Sequence, residues 1–328
     1  MALKRVFLRW GILSTADIAQ TQVIPAIRRA NNAEVVAIAS RGAKAHAVAQ
    51  ALQIPRTYES YDELLGDVEV DVIYIPLPND MHKEWSIKAA AAGKHVLCEK
   101  PVVLEEQDLE DILAAFQQHD KVFMEAFMYE FHPQHARVKE ILASGEIGEV
   151  KLYKSSHSFF FENREGDIRM DAEKGGGAIW DVGCYSLHAM QHILDEEVVT
   201  MTFKAQYDEQ AGVDVTACGI VELTNDVMAV IDCSFNMVGR NEYEVVGTKG
   251  TVKVKNAFRP DAFSGDGQII VITGATERTE YIQGDIYRLE IGYFSNKVLN
   301  GSSLDDQHAA SRKTTKLLLQ AYSSLKDV

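Results

Sequence analysis

The stretch HVLCEKP, residues 95–101, decides the fold class, because it joins a buried strand to a charged turn. Its apolar first half follows Gly93, a helix-ending residue, and is typical of a strand covered on both faces of a parallel sheet. Ligands of open parallel sheets bind beyond the carboxyl ends of the strands. Lys100, on a turn stiffened by Pro101, therefore places a cation where a cofactor and a substrate meet.

Strand and helix patterns alternate on both sides of this stretch, as a doubly wound sheet requires. Strands are predicted at residues 6–13, 34–40, 71–75, 95–98 and 122–126, and helices at 43–52, 81–92 and 105–118. The pattern predicts an α/β fold that begins with a doubly wound parallel sheet over residues 1–128.

The chain becomes rich in β-strand patterns from about residue 149. These runs cover residues 150–160, 198–207, 213–223, 227–235, 242–246, 251–254 and 269–272, with a hairpin turn at 248–250 and helices at 286–299 and 305–325. Residues 129–328 are predicted to form an α+β substrate domain with a large, mostly antiparallel open sheet. Its exposed face favours a homodimer or homotetramer, and the last helices are expected to pack back on the first domain.

The net charge and the composition of the chain exclude several classes of protein. A net charge of −15 argues against nucleic acid and anionic membranes, and no apolar run is long enough for a membrane span. The amino terminus leads into a strand rather than a signal peptide, and the cysteines lack metal-ligand spacing, which favours free thiols in the cytoplasm. His132 and His135 lack a third ligand, so no metal site is predicted.

The first strand–turn–helix is where a dinucleotide binds in such a sheet. The sequence STADIA, residues 14–19, stands where G-x-G-x-x-G is usual. Small side chains still allow a close backbone approach, Ser14 can donate a hydroxyl to phosphate, and the helix start offers unpaired N–H groups. The candidate cofactor residues here are Ser14, Thr15, Ala16 and Ile18. An ordinary strand–helix turn is the alternative.

The end of the second strand indicates which cofactor is bound. An NAD site usually places Asp or Glu there, whereas this chain has Ser40 and Arg41. A hydroxyl and a guanidinium suit the 2′-phosphate of NADP(H), which an acid would repel. NADP(H) is therefore predicted over NAD(H). The alternative is that Arg41 is a plain surface charge.

A second unusual stretch, GGGAIWDVGCY at residues 175–185, opens a helix that carries Asp181, Tyr185 and His188. Residues four apart on a helix share a face, so Asp181 and Tyr185 are expected to converge on one ligand. The hypothesis is that Lys100, Asp181 and Tyr185 form one active site. Taken singly, each has an ordinary explanation: a solvated lysine, a helix-capping aspartate and a packed tyrosine.

These motifs together resemble the glucose-fructose oxidoreductase/inositol dehydrogenase (Gfo/Idh/MocA) family of NAD(P)-dependent dehydrogenases. The resemblance rests on residues 10–16, 40–41, 75–82, 99–101 and 175–185. It implies a Rossmann domain followed by an α/β domain with an open, mostly antiparallel sheet. It also implies a cis peptide before Pro101 and a cofactor lined by Pro76, Leu77, Asn79, His82, Glu99 and Lys100.

The resemblance also implies residue roles. Lys100 matches the lysine that contacts the nicotinamide and the reacting oxygen, and Asp181 matches the aspartate that binds substrate hydroxyls. At the position of Tyr185, the dihydrodiol and aldose (D-xylose) NADP dehydrogenase branch has tyrosine and the inositol dehydrogenases have histidine. The chain therefore resembles the first branch more closely. Glu130 departs from the family, because relatives often carry arginine there.

The reaction that these residues suggest is hydride transfer between nicotinamide and a hydroxyl or carbonyl carbon of a sugar, polyol or trans-dihydrodiol. Tyr185 exchanges the proton, Lys100 stabilises the charged oxygen, and Asp181 orients the hydroxyls. Arg169, His188 and Phe160 are candidates for substrate binding. For His188 a packed helix residue is the alternative, and for the phenylalanines around residue 160 it is the core.

Two other functions remain open from the sequence. One is a non-catalytic nucleotide- or sugar-sensing protein that keeps the fold, although a sensor needs no proton donor such as Tyr185. The other is reduction of a non-sugar, such as a tetrapyrrole or a dicarbonyl, on the same scaffold. Asp181 suits hydroxyl groups and disfavours an anionic substrate, which separates the two substrate classes.

Overall fold

The computed structural model describes residues 6–325, which divide into two compact units. The first unit contains residues 6–127 and Tyr287–Arg312, and the second contains Met128–Ile286 and residues 313–325. Each unit is built on one sheet, six-stranded in the first and eight-stranded in the second. Within residues 6–325, no helix combines the length and the apolar character that a membrane span needs.

The first unit is a Rossmann fold. Its strands are β1 Leu8–Leu13, β2 Ala33–Ala39, β3 Arg56–Tyr58, β4 Val72–Ile75, β5 His95–Glu99 and β6 Phe123–Ala126. Its first five helices are α1 Ile24–Arg29, α2 Lys44–Leu52, α3 Tyr61–Leu65, α4 His82–Ala91 and α5 Glu106–Gln118. All neighbouring strands are parallel in the order β3-β2-β1-β4-β5-β6. The order reverses between β1 and β4, which opens the ligand crevice of such sheets at the carboxyl ends of these strands.

The core of this unit explains why its strands read as continuous apolar runs. Every residue of β4 is buried, because helices cover both faces of a parallel sheet. In β1, the Trp10 ring meets Phe294 edge to face at 5.5 Å between centroids. Next to it, a Cβ on Gly11 would lie 2.8 Å from the Leu64 side chain, so close packing requires the glycine.

The second unit is a sheet with helices against it. Its strands are β7 Val150–Phe160, β8 Val198–Tyr207, β9 Asp214–Leu223, β10 Met228–Ser234, β11 Asn236–Gly247, β12 Gly250–Lys255, β13 Asp266–Thr273 and β14 Thr276–Gln283. Its helices are α6 Pro133–Ala143 and α7 Cys184–Leu194, and the chain continues into α8 Ile286–Asn300 and α9 Asp305–Ser324. The order is β14-β13-β12-β11-β7-β10-β9-β8, antiparallel except between β7 and β10. The predicted fold class is therefore confirmed.

Two strands that the sequence did not predict, β3 and β14, lie at sheet edges. No residue in either strand is fully buried, so neither shows the apolar pattern that marks a core strand. The predicted hairpin at residues 248–250 is confirmed between β11 and β12. Five-residue π-helical turns at Ala19–Val23 and Ile179–Gly183 also differ from the α-helices predicted there, and such turns are frequent at functional sites.

Candidate cofactor and substrate sites

Ser14 shapes the turn after β1. Its φ of 124° lies in the region that normally requires glycine, and its N–H donates to the Ala39 carbonyl at 2.9 Å. Its Oγ accepts the N–H of Ala16 at 3.0 Å, and the Gln20 amide donates to the Thr15 carbonyl at 2.7 Å. The serine thus supplies the backbone shape of the first fingerprint glycine and fixes the turn with its own side chain.

The surface of this turn can approach a ligand. Ser14, Thr15, Ala16 and Ile18 are all partly exposed, while Ala19 is buried against the sheet. Small side chains at Ala16 and Ala19 allow the backbone to approach a pyrophosphate and the helix to pack closely. The residues present therefore fit a dinucleotide, although they are not the usual glycines.

Ser40 and Arg41 have different positions at the end of β2. The Ser40 side chain is buried, its Oγ donates to the Gly42 carbonyl at 2.8 Å and accepts the Ala45 N–H at 2.8 Å. It therefore holds the loop that starts α2. Arg41 is exposed; burial raises the pKa of the nearby Tyr61, and the Arg41 charge opposes that rise. The exposed cation at this strand end is thus Arg41.

His82 joins the loops that follow β4 and β5. Its Nε2 lies 2.8 Å from the Leu77 carbonyl and its Nδ1 lies 3.1 Å from the Pro101 carbonyl. The ring is fully buried, and this burial lowers the pKa of His82. Pro76 and Leu77 are buried as well, and Asn79 is partly exposed. Burial keeps the imidazole neutral, so it carries one N–H and donates to one of these two carbonyls while its ring packs between the loops.

The predicted cis peptide between Lys100 and Pro101 is confirmed. Just before it, Glu99 ends β5 and accepts a hydrogen bond from the Tyr74 hydroxyl at 2.5 Å. Burial, followed by the Glu99 charge, raises the pKa of Tyr74 well above its ordinary value, so the phenol remains a donor. Glu99 and Lys100 thus leave the sheet at its carboxyl edge on a turn that is fixed on either side.

In the second unit, Asp181 is held by an arginine. Arg169 Nε lies 2.7 Å from Asp181 Oδ2, and Arg169 Nη1 lies 3.3 Å from Asp167 Oδ1. The Asp181 charge raises the pKa of Arg169, so the pair is ionic. Arg169 was predicted as a substrate-binding residue, and in the structure it orients the aspartate.

One glycine of the run, Gly177, is explained by Asp214, which the sequence analysis missed. A Cβ on Gly177, whose φ is 117°, would lie 2.2 Å from Asp214 Oδ1. Asp214 Oδ2 accepts the Ile179 N–H at 2.8 Å and Oδ1 accepts the Tyr322 hydroxyl at 2.5 Å. The Tyr322 ring stacks on Trp180 at 5.1 Å. A lone acid at the start of the apolar strand β9 was the available signal.

Tyr185 lies at the start of α7, just beyond the π-helical turn that contains Asp181. Its ring packs against His157 at 5.1 Å, Phe258 at 5.7 Å and Tyr129 at 5.8 Å between centroids. Its hydroxyl lies 3.6 Å from the Met128 sulfur, a weak acceptor. Aromatic rings therefore fix the phenol, and only 6% of the residue is exposed.

His188 lies behind Tyr185 in a buried polar cluster. The Tyr129 hydroxyl is 2.6 Å from His188 Nδ1, and His188 Nε2 is 3.8 Å from Glu130 Oε2. Burial lowers the pKa of His188 well below its ordinary value and raises that of Tyr129 well above its own. Tyr129 therefore donates to a neutral imidazole. Glu130, the departure from the family pattern, faces this histidine and His192, which lies 3.9 Å away.

The remaining candidates separate into exposed and packed residues. Phe160 is 61% exposed at the end of β7, while its neighbours Phe159 and Phe161 pack on Phe235. Arg164 donates to the carbonyls of Phe161 and Phe235 and so fixes that loop.

Among residues 6–325, no group of three or more His, Cys, Asp or Glu side chains has a metal-holding arrangement.

The first unit and its strand-end residues define a nicotinamide-dinucleotide oxidoreductase fold. A family model described as "Oxidoreductase family, NAD-binding Rossmann fold" matches residues 8–127, and the "GFO/IDH/MocA C-terminal domain" model matches residues 135–253. The chain belongs to the Gfo/Idh/MocA family and is an oxidoreductase with an NAD(P)-binding Rossmann domain. The resemblance seen in the sequence is confirmed.

Three relatives are similar along most of the chain. D-xylose 1-dehydrogenase (NADP(+)) 2 of Haloferax volcanii is 36% identical over 90% of each chain. Trans-1,2-dihydrobenzene-1,2-diol dehydrogenase of Xenopus laevis is 30% identical over 75% of this chain and 74% of its own. A crystal structure of KijD10, a 3-ketoreductase from Actinomadura kijaniata in complex with NADP and TDP-benzene, is 29% identical. It covers 97% of this chain and 98% of its own, with a TM-score of 0.90.

Proposed function

We propose that this oxidoreductase uses NADP(H) to interconvert a hydroxyl and a carbonyl on a sugar, a polyol or a related cyclic diol. The observation that carries the substrate class is the ionic pair between Asp181 and Arg169. A fixed, ionised carboxylate accepts hydrogen bonds from hydroxyl groups and orients a polyhydroxylated ring. The D-xylose and dihydrodiol dehydrogenases among the relatives support this class.

The preference for NADP(H) rests on Arg41. Its guanidinium is the exposed group at the end of β2, where Rossmann folds bind the adenine ribose, and a planar fork of donors matches a phosphate. The residues proposed to hold the cofactor are Ser14, Thr15, Ala16, Ile18, Ser40, Arg41, Pro76, Leu77, Asn79, His82, Glu99 and Lys100. Of these, Ser40 and His82 act by positioning the loops around the cofactor rather than by contacting it with their side chains.

The catalytic roles follow from the chemistry of each side chain. When bound, the nicotinamide donates or accepts the hydride. Tyr185 exchanges the proton with the substrate oxygen, and Lys100 supplies the positive charge that stabilises negative charge developing on that oxygen. Asp181 orients the neighbouring hydroxyls, and Arg169 holds its carboxylate in place. Phe160 and His188 are the further substrate-binding candidates. The exposure of Phe160 supports its role, whereas the buried His188 supports Tyr129, whose ring packs on Tyr185.

The test is a cofactor-coupled assay. Purified protein is mixed with NADPH or NADP⁺ and a panel of aldoses, ketosugars, inositols, trans-diols and dicarbonyls, and nicotinamide absorbance is followed. Turnover of a polyhydroxylated substrate that is lost in Asp181→Asn supports the proposal. Turnover of dicarbonyls alone, unaffected by Asp181→Asn, contradicts the substrate class.

We also infer a homo-oligomer formed through the eight-stranded sheet, in the cytoplasm. Ile220, Met228 and Val230 are exposed side by side on β9 and β10, with Ile220 opposite Val230 in the register. Adjacent exposed apolar residues favour association. Light scattering coupled to size exclusion measures the mass, and a monomer at micromolar concentration contradicts the inference.

A further inference from the structure

Glu125 is a buried carboxylate that the reaction described above does not use. It lies on β6 opposite Cys98 of β5, beside the strand that leads into Lys100, and only 6% of the residue is exposed. Burying a carboxyl group is costly unless neighbouring groups compensate for the lost water. Its partners therefore indicate what it does.

One oxygen of Glu125 anchors the turn that carries Lys100. Glu125 Oε1 accepts the N–H of Val102 at 2.9 Å, in a buried setting. Pro101 has no N–H, so the Val102 N–H is the first backbone donor after the lysine. His82 approaches the Pro101 carbonyl in the same turn. The buried Glu125 side chain thus fixes the backbone directly after Lys100, and the buried His82 ring packs against the same turn.

The other oxygen faces charged and polar groups. Oε2 is buried and makes no hydrogen bond of ordinary geometry within the described chain. Burial raises the pKa of Glu125 to about 7, against the effects of the nearby Ser311 hydroxyl, the Val102 N–H and the Lys100 charge, while Glu99 adds to the rise. Ser311 belongs to α9, and the other groups belong to the β5 edge. Burial therefore favours the protonated carboxyl group, and the Lys100 charge favours the carboxylate.

We propose that Glu125 is a positioning residue for Lys100, which anchors the turn after the lysine and, when ionised, supplies its buried counter-charge. The inference rests on the catalytic role proposed for Lys100. An ionised carboxylate nearby favours the protonated lysine, whereas a neutral carboxyl does not. The ammonium group is therefore held most firmly above neutral pH, when Glu125 has lost its proton.

The experiment uses Glu125→Gln, which keeps a carbonyl oxygen for the Val102 N–H and removes the charge. Lysines are reductively methylated with a ¹³C label, and the Lys100 signal is identified by its absence in Lys100→Arg. We expect Lys100 to titrate about one pH unit lower in Glu125→Gln than in the wild type. The dissociation constant of NADPH, measured by fluorescence, is expected to show a step near pH 7 that Glu125→Gln lacks. Glu34→Gln, an exposed carboxylate on β2, is the matched control and leaves both curves unchanged.

An unchanged Lys100 titration in Glu125→Gln overturns the inference. If that variant does not fold, Glu125→Asp retains the charge on a shorter side chain. In Glu125→Asp, Lys100 is expected to titrate within about 0.3 pH units of the wild type, while kcat falls. A Lys100 titration that is lower by a full pH unit in this variant contradicts the inference. A wild type that binds no nicotinamide cofactor contradicts the proposed function instead, and the lysine titration still decides whether Glu125 and Lys100 are coupled.

Discussion

Arg169 Nε donates to Asp181 Oδ2 at 2.7 Å, which makes the predicted substrate-binding aspartate half of an ion pair. The sequence analysis placed both residues in the substrate site but did not pair them. The pairing changes the electrostatic argument, because Arg169 offsets the negative charge that Asp181 presents. An anionic substrate is therefore less disfavoured by Asp181 than the sequence alone suggested.

Arg169→Ala is expected to lower kcat/KM about 10- to 100-fold, the range of a charge-assisted hydrogen bond, with most of the loss in KM. Asp181 then loses the group that orients it, while the affinity for NADPH stays the same. Steady-state kinetics and fluorescence titration measure the two quantities. Arg259→Ala is the matched control, because Arg259 also pairs with an aspartate in the same unit and is similarly exposed, 40% against 38%. Equal KM values in wild type and Arg169→Ala contradict the role.

Arg41→Ala is expected to weaken NADPH binding about 10- to 100-fold and to leave NADH binding unchanged, because only NADPH carries the 2′-phosphate. Equilibrium fluorescence titrations with both cofactors measure this ratio. Lys316→Ala, which removes an exposed cation on α9, controls for net charge. If Arg41→Ala weakens the binding of NADPH and NADH by the same factor, Arg41 does not recognise the 2′-phosphate.

Gly177→Ala is expected to destabilise the protein by more than about 2 kcal/mol, since it combines an unfavourable φ with a clash against Asp214. Gly212→Ala is the matched control: its φ of +67° is also positive, but nothing lies within 4 Å of the added Cβ. That variant is expected to lose only about 1 kcal/mol. Urea unfolding followed by circular dichroism compares the two, and equal losses would show that Asp214 does not constrain the glycine.

Glu125 predicts a dependence of stability on pH. Its pKa in the folded protein, about 7, lies above the ordinary value of 4.5, so the folded state binds the proton more tightly. This contribution to stability is complete below the ordinary value and is lost as the pH rises through 7. Between pH 5 and pH 8 the wild type is expected to lose roughly 2 kcal/mol relative to Glu125→Gln. Urea unfolding of both proteins at pH 5 and pH 8 measures this change. A difference in unfolding free energy between wild type and Glu125→Gln that is the same at both pH values would contradict the prediction.

The sequence predicted most of the fold because the informative strands are buried. Apolar runs such as β4 and β5 indicate strands that are buried on both faces of a sheet. Their presence and their order along the chain could therefore be predicted. The edge strands β3 and β14 were missed because their residues are polar or partly exposed. At Ser14 the sequence predicted a strand–helix turn, and the positive φ that gives this turn its shape appears only in the structure.

The candidate site was readable only in part. Lys100, Asp181 and Tyr185 belong to motifs that are local in sequence. Asp214, Glu125 and the Tyr129–His188 pair act through contacts between residues far apart in the chain, which no spacing encodes. Of these, only Asp214 carried a local signal, a lone acid at the start of an apolar strand.

The most direct test of the central claim compares the wild type with Lys100→Met on the substrate that the panel identifies. Stopped-flow absorbance at saturating NADPH follows the hydride-transfer step, and thermal unfolding confirms that the variant is folded. We expect hydride transfer to fall about 100- to 10,000-fold in Lys100→Met, because the developing charge on oxygen loses its cation. A transfer rate within about twofold of the wild type would contradict a catalytic Lys100 and, with it, the proposed mechanism.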